Sequence, residues 1–161
     1  MTKKVNPKSS RDENLYVFSH EHHHGLIFAV RLRKAHQANA ETLKRYIKDF
    51  WEDSLDAHFK NEEDLFLNFI TDMKLRKRFL AEHKQIRALY QDIKEGDNDI
   101  VEKSKQFGVL VNDHIRFEER ILFPWLQENL SQNELKQIGS SLDDKDVCSH
   151  AFIPRFWEKQ S

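Results

Sequence analysis

With 161 residues, 26 Lys and Arg against 27 Asp and Glu and a formal net charge of -1, the chain is long enough for one domain with its own core and offers nucleic acid or an anionic membrane nothing to hold. Its single cysteine, Cys148, excludes an internal disulfide and argues against zinc-finger or iron–sulfur ligation. Only 4 Gly and 3 Pro favour an all-α fold of long helices, and nine His demand an explanation.

No apolar run is long enough to span a bilayer. Residues 1–8 lack the apolar stretch of a secretory signal, so a cytoplasmic protein is the expectation. Residues 1–14 read as a flexible tail, 15–141 as the folded unit and 142–161 as a C-terminal tail. Leu15-Tyr16-Val17-Phe18 is an apolar approach, and Ser19 can cap a first helix over 20–38. A second helix over 41–70 carries Leu43, Ile47, Phe50, Ser54, His58, Glu62 and Leu65 on one stripe at three- and four-residue steps. Thr71-Asp72 breaks and caps. The third helix, over 73–95, has Leu75, Phe79, His83, Ile86 and Tyr90 as its inner stripe. Gly96-Asp97-Asn98-Asp99 is a turn. A fourth helix over 99–128 turns Phe107, Leu110, Val111, His114, Glu118, Ile121 and Leu122 inward, with a kink predicted at Pro124. Ser131-x-x-Glu134 is a capping box for a short fifth helix. Phe152, Phe156 and Trp157 are expected to dock on the bundle.

The polar interruptions of these stripes carry the chemistry. His58-x-x-x-Glu62 and His114-x-x-x-Glu118 each place an imidazole and a carboxylate one above the other on a helix. His83 interrupts a third stripe, and the first helix offers His20, His22, His23 and His24. Steps of about 100° per residue put His22 nearest the apolar side, with His23 at its edge. One metal-ligand set is therefore expected from His22 (with His23 next), His58, Glu62, His83, His114 and Glu118. Burying these groups without partners would cost several kcal/mol, and mixed imidazole and carboxylate donors suit iron, manganese or zinc. No residue is assigned a catalytic role. His36 and His150 read as ordinary core histidines, and Glu63 and Glu119 as solvated neighbours. Arg87 either pairs with an outer carboxylate or reaches solvent.

The order of these motifs resembles the hemerythrin-like, or HHE cation-binding, domain family. Glu21-His22-His23-His24-Gly25-Leu26 is similar to its first-helix motif, and His114-Ile115-Arg116-Phe117-Glu118 through Phe123-Pro124 to its last. The resemblance covers about residues 18–130. It implies an antiparallel four-helix bundle holding two iron ions in a non-haem Fe-O-Fe centre, with zinc or manganese as alternatives. The implied function is binding oxygen or nitric oxide, or sensing or holding iron. The alternative is a di-iron enzyme, peroxidase-like or nitric-oxide-related, or an iron–sulfur cluster repair protein. The small diatomic ligand is the expected partner, with no nucleic acid and no membrane. A helical interaction module with purely structural histidines is the remaining rival. The chain departs from the hemerythrins proper in one place: Arg87 stands where their third helix has a second His, which argues against reversible oxygen carriage.

Overall fold

A computed structural model describes residues 10–142 and 152–159; residues 1–9, Cys148 and His150 lie outside that range. Asp12 caps a 3-10 turn, Glu13–Leu15, by accepting from the Asn14 N–H, and helix α1, Tyr16–Leu32, continues from it. Ser19 therefore lies inside the helix rather than at its start, and its hydroxyl donates to Glu119 at 2.8 Å. The first rod ends earlier than the pattern predicts, in a 3-10 turn at Ala35–Gln37. Asn39 caps α2, Ala40–Phe50, which passes through a π turn, Trp51–Leu55, into α3, Asp56–Phe66. Asp72 caps α4, Met73–Glu95, accepting from two N–H groups. Asp99, in the left-handed region at φ 54°, turns the chain into α5, Ile100–Phe117. A second π turn, Glu118–Leu122, leads into α6, Phe123–Asn129. The Ser131/Glu134 capping box starts α7, Gln132–Ser140. Four rods joined by short connections form an all-α antiparallel bundle.

The two π turns change which residues face inward. A π turn inserts one residue and rotates the downstream helix by about a quarter turn. In the second rod the buried stripe runs through Trp51 and Leu55, where the regular spacing predicts Phe50 and Ser54. In the fourth rod Leu122 is buried while Ile121 faces solvent, 43% exposed. Pro124 supplies the reason for the second π turn, since it has no N–H for the carbonyl one turn back. The irregularity predicted at Pro124 takes the form of this widened turn, in which the Phe123 N–H reaches the Glu118 carbonyl. The Glu119 carbonyl is thereby released, and Arg11 Nη2 donates to it at 2.7 Å.

Apolar packing divides into two clusters. One, with Phe28, Leu43, Trp51, Tyr90 and Phe107, fills one end of the bundle. The other, with Phe18, Phe66, Phe79, Phe123 and Ile138, fills the opposite end. The C-terminal aromatics complete the first. Phe152 and Phe156 set their rings edge-on to Tyr46 at 4.8 and 5.1 Å, and Arg31 stacks over Trp157 at 4.2 Å. Gln37 donates to the Phe156 carbonyl and Arg45 to that of Ile153.

The α1–α5 contact is close because Gly108 has no side chain. A Cβ there would lie 3.0 Å from Leu32 Cβ and 3.1 Å from the Ala29 carbonyl. A glycine inside a helix ordinarily costs about 1 kcal/mol relative to alanine, so its use here reflects packing. Gly108→Val should destabilise the fold by about 1–3 kcal/mol through overpacking, read from urea unfolding; an unchanged midpoint would show that the two helices can separate at no cost.

Candidate metal centre

Between the two apolar clusters lies a layer of polar groups. His22 comes from α1, His58 and Glu62 from α3, His83 from α4, His114 from α5, and Glu118 from the first position of the second π turn. All six are buried, none more than 4% exposed. The four-residue spacing within α3, and between His114 and Glu118, puts each imidazole over its own carboxylate, at 3.2 and 3.1 Å.

Glu62 lies at the centre of the group. Its Oε2 faces His58 Nε2 at 3.2 Å and His22 Nε2 at 3.6 Å, and its Oε1 faces His83 Nε2 at 3.2 Å and His114 Nε2 at 4.0 Å. Glu118 Oε1 spans His22 at 3.0 Å and His114 at 3.1 Å. The donor atoms fall into two groups that share both carboxylates: His22, His58, Glu62 and Glu118, and Glu62, His83, His114 and Glu118. Within each group the atoms lie within 4.8 Å of one another.

The outer ring nitrogens explain why the inner ones are free to act. His22 Nδ1 meets Glu119 at 2.8 Å, His83 Nδ1 meets Glu63 at 2.8 Å, His114 Nδ1 meets Glu82 at 2.7 Å, and His58 Nδ1 lies 3.4 Å from Glu21. An ionised carboxylate only accepts, so the Nδ1 of His22, His83 and His114 carries the proton and each of these rings, when neutral, turns an Nε2 lone pair inward; His58 Nδ1 faces Glu21 without a hydrogen bond. These lone pairs converge with carboxylate oxygens that are also acceptors. His58 Nε2, both Glu62 oxygens and Glu118 Oε2 are buried with no hydrogen-bond partner. Converging acceptors without donors are what cations satisfy, and a mixed N/O set suits iron, manganese or zinc. The residues present fit a pair of metal ions.

The outer carboxylates are themselves held. Arg87 forks onto both oxygens of Glu63 at 2.6 and 2.9 Å, Arg78 donates to Glu82 at 2.8 Å, and Arg11 lies 3.7 Å from Glu119. Glu63 and Glu119 are thus partners of the imidazoles, and the solvated reading of both is corrected: side-chain exposures of 21% and 28% leave them wet on one edge only. Of the two readings for Arg87, the structure takes the paired one. Glu21 and Glu82 were missed, although a signal existed. Every outer carboxylate is the immediate sequence neighbour of an inner residue, as Glu21-His22, Glu62-Glu63, Glu82-His83 and Glu118-Glu119. His23 is exposed and lies outside the cluster, as does His20, whose ring stands 5.0 Å from that of His24 on the outer face. His36 is exposed rather than a core residue.

Without cations, protons take their place. Burial alone would lower the His22, His58 and His114 imidazoles. The facing carboxylates overcome it, holding His22 and His114 well above the usual range and His58 at about 9. Burial would raise Glu62, but His58, His114 and His22 hold it well below the usual carboxylate range. The raised imidazoles stabilise the metal-stripped fold below their unfolded value of about 6.5, and that contribution is lost as pH rises through their folded values. The depressed Glu62 stabilises it above about 4.3, its unfolded value, and loses this as pH falls. Metal-stripped protein should therefore be most stable between about pH 4.3 and 6.5 and melt progressively lower towards pH 9. Added divalent metal should raise its melting temperature more at pH 8 than at pH 6, because protons and metal compete for the same lone pairs. A pH-independent difference between the two forms would contradict this account of the layer.

The hemerythrin HHE cation binding domain model matches residues 12–126, which include the whole cluster. No curated protein and no solved structure matches the chain significantly. Fold, donor arrangement and family match agree: the chain belongs to the hemerythrin HHE cation-binding domain family.

Proposed function

We propose that the chain is a non-haem di-iron protein that binds a small diatomic ligand, oxygen or nitric oxide, or senses or holds iron, in the cytoplasm and apart from nucleic acid and membranes. The observation that carries this reading is the placement of Glu62 and Glu118 between two pairs of imidazoles. His22 and His58 would help to hold one ion, His83 and His114 the other, and Glu62 and Glu118 would serve both. An iron pair held there would supply reversible redox chemistry.

The chain's own residues do the rest. Three Nδ1–H groups, of His22, His83 and His114, donate to carboxylates and hold those rings in one orientation and one tautomer, and Glu21 stands 3.4 Å from His58 Nδ1. The phenyl rings of Phe59, stacked on His83 at 4.0 Å, and Phe123, stacked on His22 at 5.3 Å, exclude water from the faces of the imidazoles. A cavity of about 10 Å³, room for about one water-sized molecule, lies beside His22 and His58. Phe50, Leu55, Val111 and Ile115 give it apolar walls, and Glu21 and Ser54 add polar edges. Its small size and largely apolar lining support a diatomic ligand. No helix of the described residues is long and apolar enough to cross a membrane.

Metal analysis of untagged protein should find about two iron per chain, as expected for a paired site in a bundle core. Glu62→Ala and Glu118→Ala should each lower metal affinity at least tenfold, since loss even of an outer partner costs about 10–100-fold. Protein that folds to full stability without metal, and gains none from it, would overturn the proposal. Two equivalents of zinc or manganese would replace iron while leaving the ligand set. Multiple turnovers with peroxide or nitric oxide would move the reading from binding protein to enzyme.

A further inference from the structure

Arg87 sits one turn after His83 on α4, yet its side chain turns away from the polar layer to α3. There it takes both oxygens of Glu63, with Nη1 at 2.6 Å from Oε2 and Nη2 at 2.9 Å from Oε1. The same Oε2 accepts from His83 Nδ1 at 2.8 Å. The guanidinium also lies 5.7 Å from the centre of the Phe59 ring, which stacks on the face of His83 at 4.0 Å and 17°. One cation thereby meets two of the groups that fix this imidazole, the carboxylate at its edge and the phenyl ring on its face; Phe79 packs against it at 4.3 Å as well. The other outer arginines also lie over rings, Arg11 over Phe123 at 5.2 Å and Arg78 over Phe117 at 4.1 Å, but neither forks onto its carboxylate. Arg78 gives Glu82 a single Nε contact and is half exposed, and Arg11 stands 3.7 Å from Glu119.

We propose that Arg87 is a positioning residue for one of two metal ions, the one held by His83 and His114, and that it acts through Glu63. The proposal rests on the two-ion reading above. A bidentate arginine fixes the plane of a carboxylate, whereas a point charge does not. Glu63 held in that plane directs the Nδ1–H of His83 and so aims its Nε2 lone pair. Outer partners of this kind are worth about 10–100-fold in metal affinity. The His22 and His58 side shares no outer carboxylate with Arg87, and Phe59 stands 6.1 Å from the His58 ring against 4.0 Å from that of His83, so its ion should be indifferent to the substitution.

Stepwise titration of metal-stripped protein with Co²⁺, followed by its visible absorption, tests this. Wild type should take up two equivalents. Arg87→Met should weaken one of the two steps about tenfold or more and leave the other unchanged. Arg87→Lys should recover only part of the loss, because it restores charge without the fork. In a Glu63→Gln background Arg87→Met should add no further weakening, since residues that act through one another are not additive. Equal weakening of both steps, together with a lowered melting temperature, would make Arg87 merely structural and overturn the proposal. So would full additivity with Glu63→Gln, or two unchanged steps. If wild type fails to bind two Co²⁺, the two-ion reading falls and takes this inference with it; if it binds two and Arg87→Met changes neither step, only this inference falls.

Discussion

Two carboxylates and four imidazoles are buried in a single layer between two apolar clusters, and the rest of the bundle is arranged to make that tolerable. Ionised groups removed from water cost several kcal/mol each unless matched. Here they are matched twice: inward, lone pairs converge where a cation would satisfy them; outward, carboxylates and arginines carry the compensation towards the surface. Aromatic rings from both apolar clusters seal the layer above and below. Phe18, Phe59, Phe79 and Phe123 all lie against its imidazoles. The dense use of phenylalanine at these positions follows from the need to exclude water from a polar layer without offering it another hydrogen-bond partner.

Much of this was legible in the sequence because polar residues on an otherwise apolar stripe are a strong anomaly. His58, Glu62, His83, His114 and Glu118 all stand out that way, and helical angle alone separated His22, now buried, from the exposed His23. The outer carboxylates were not legible by the same rule. Glu63, Glu82 and Glu119 are partly wet and sit off the stripe, so periodicity files them with solvated residues. Adjacency to an inner residue marks them, but the imidazole each one meets depends on which helix lies next to which, and no pattern within one helix contains that. Arg87 is similar: its fork onto Glu63 is a contact between helices.

The π turns were hidden for a different reason. Helix periodicity assumes a constant step, and Trp51–Leu55 and Glu118–Leu122 break it by one residue. Each lies beside a His-x-x-x-Glu pair. The first ends three residues before His58, and the second begins at Glu118 itself. A regular helix cannot both pack its apolar residues at the bundle ends and aim His and Glu at the centre if the two requirements differ in phase. The inserted residue reconciles them. Pro124 marked the second irregularity in the sequence; nothing comparable marks the first.

The outer carboxylates have an order that goes beyond support for single rings. Glu21 of α1 faces His58 of α3, Glu63 of α3 faces His83 of α4, Glu82 of α4 faces His114 of α5, and Glu119, just beyond α5, faces His22 of α1. Each rod serves the next and the last serves the first, so the contacts form a closed, one-directional interlock. No rod can slide by one residue without breaking a contact it gives and another it receives. The layer thereby acts as a register gauge for the whole bundle, closing only when all four rods are aligned at once. A bundle whose apolar faces alone would tolerate slippage is thus confined to one alignment by its polar middle.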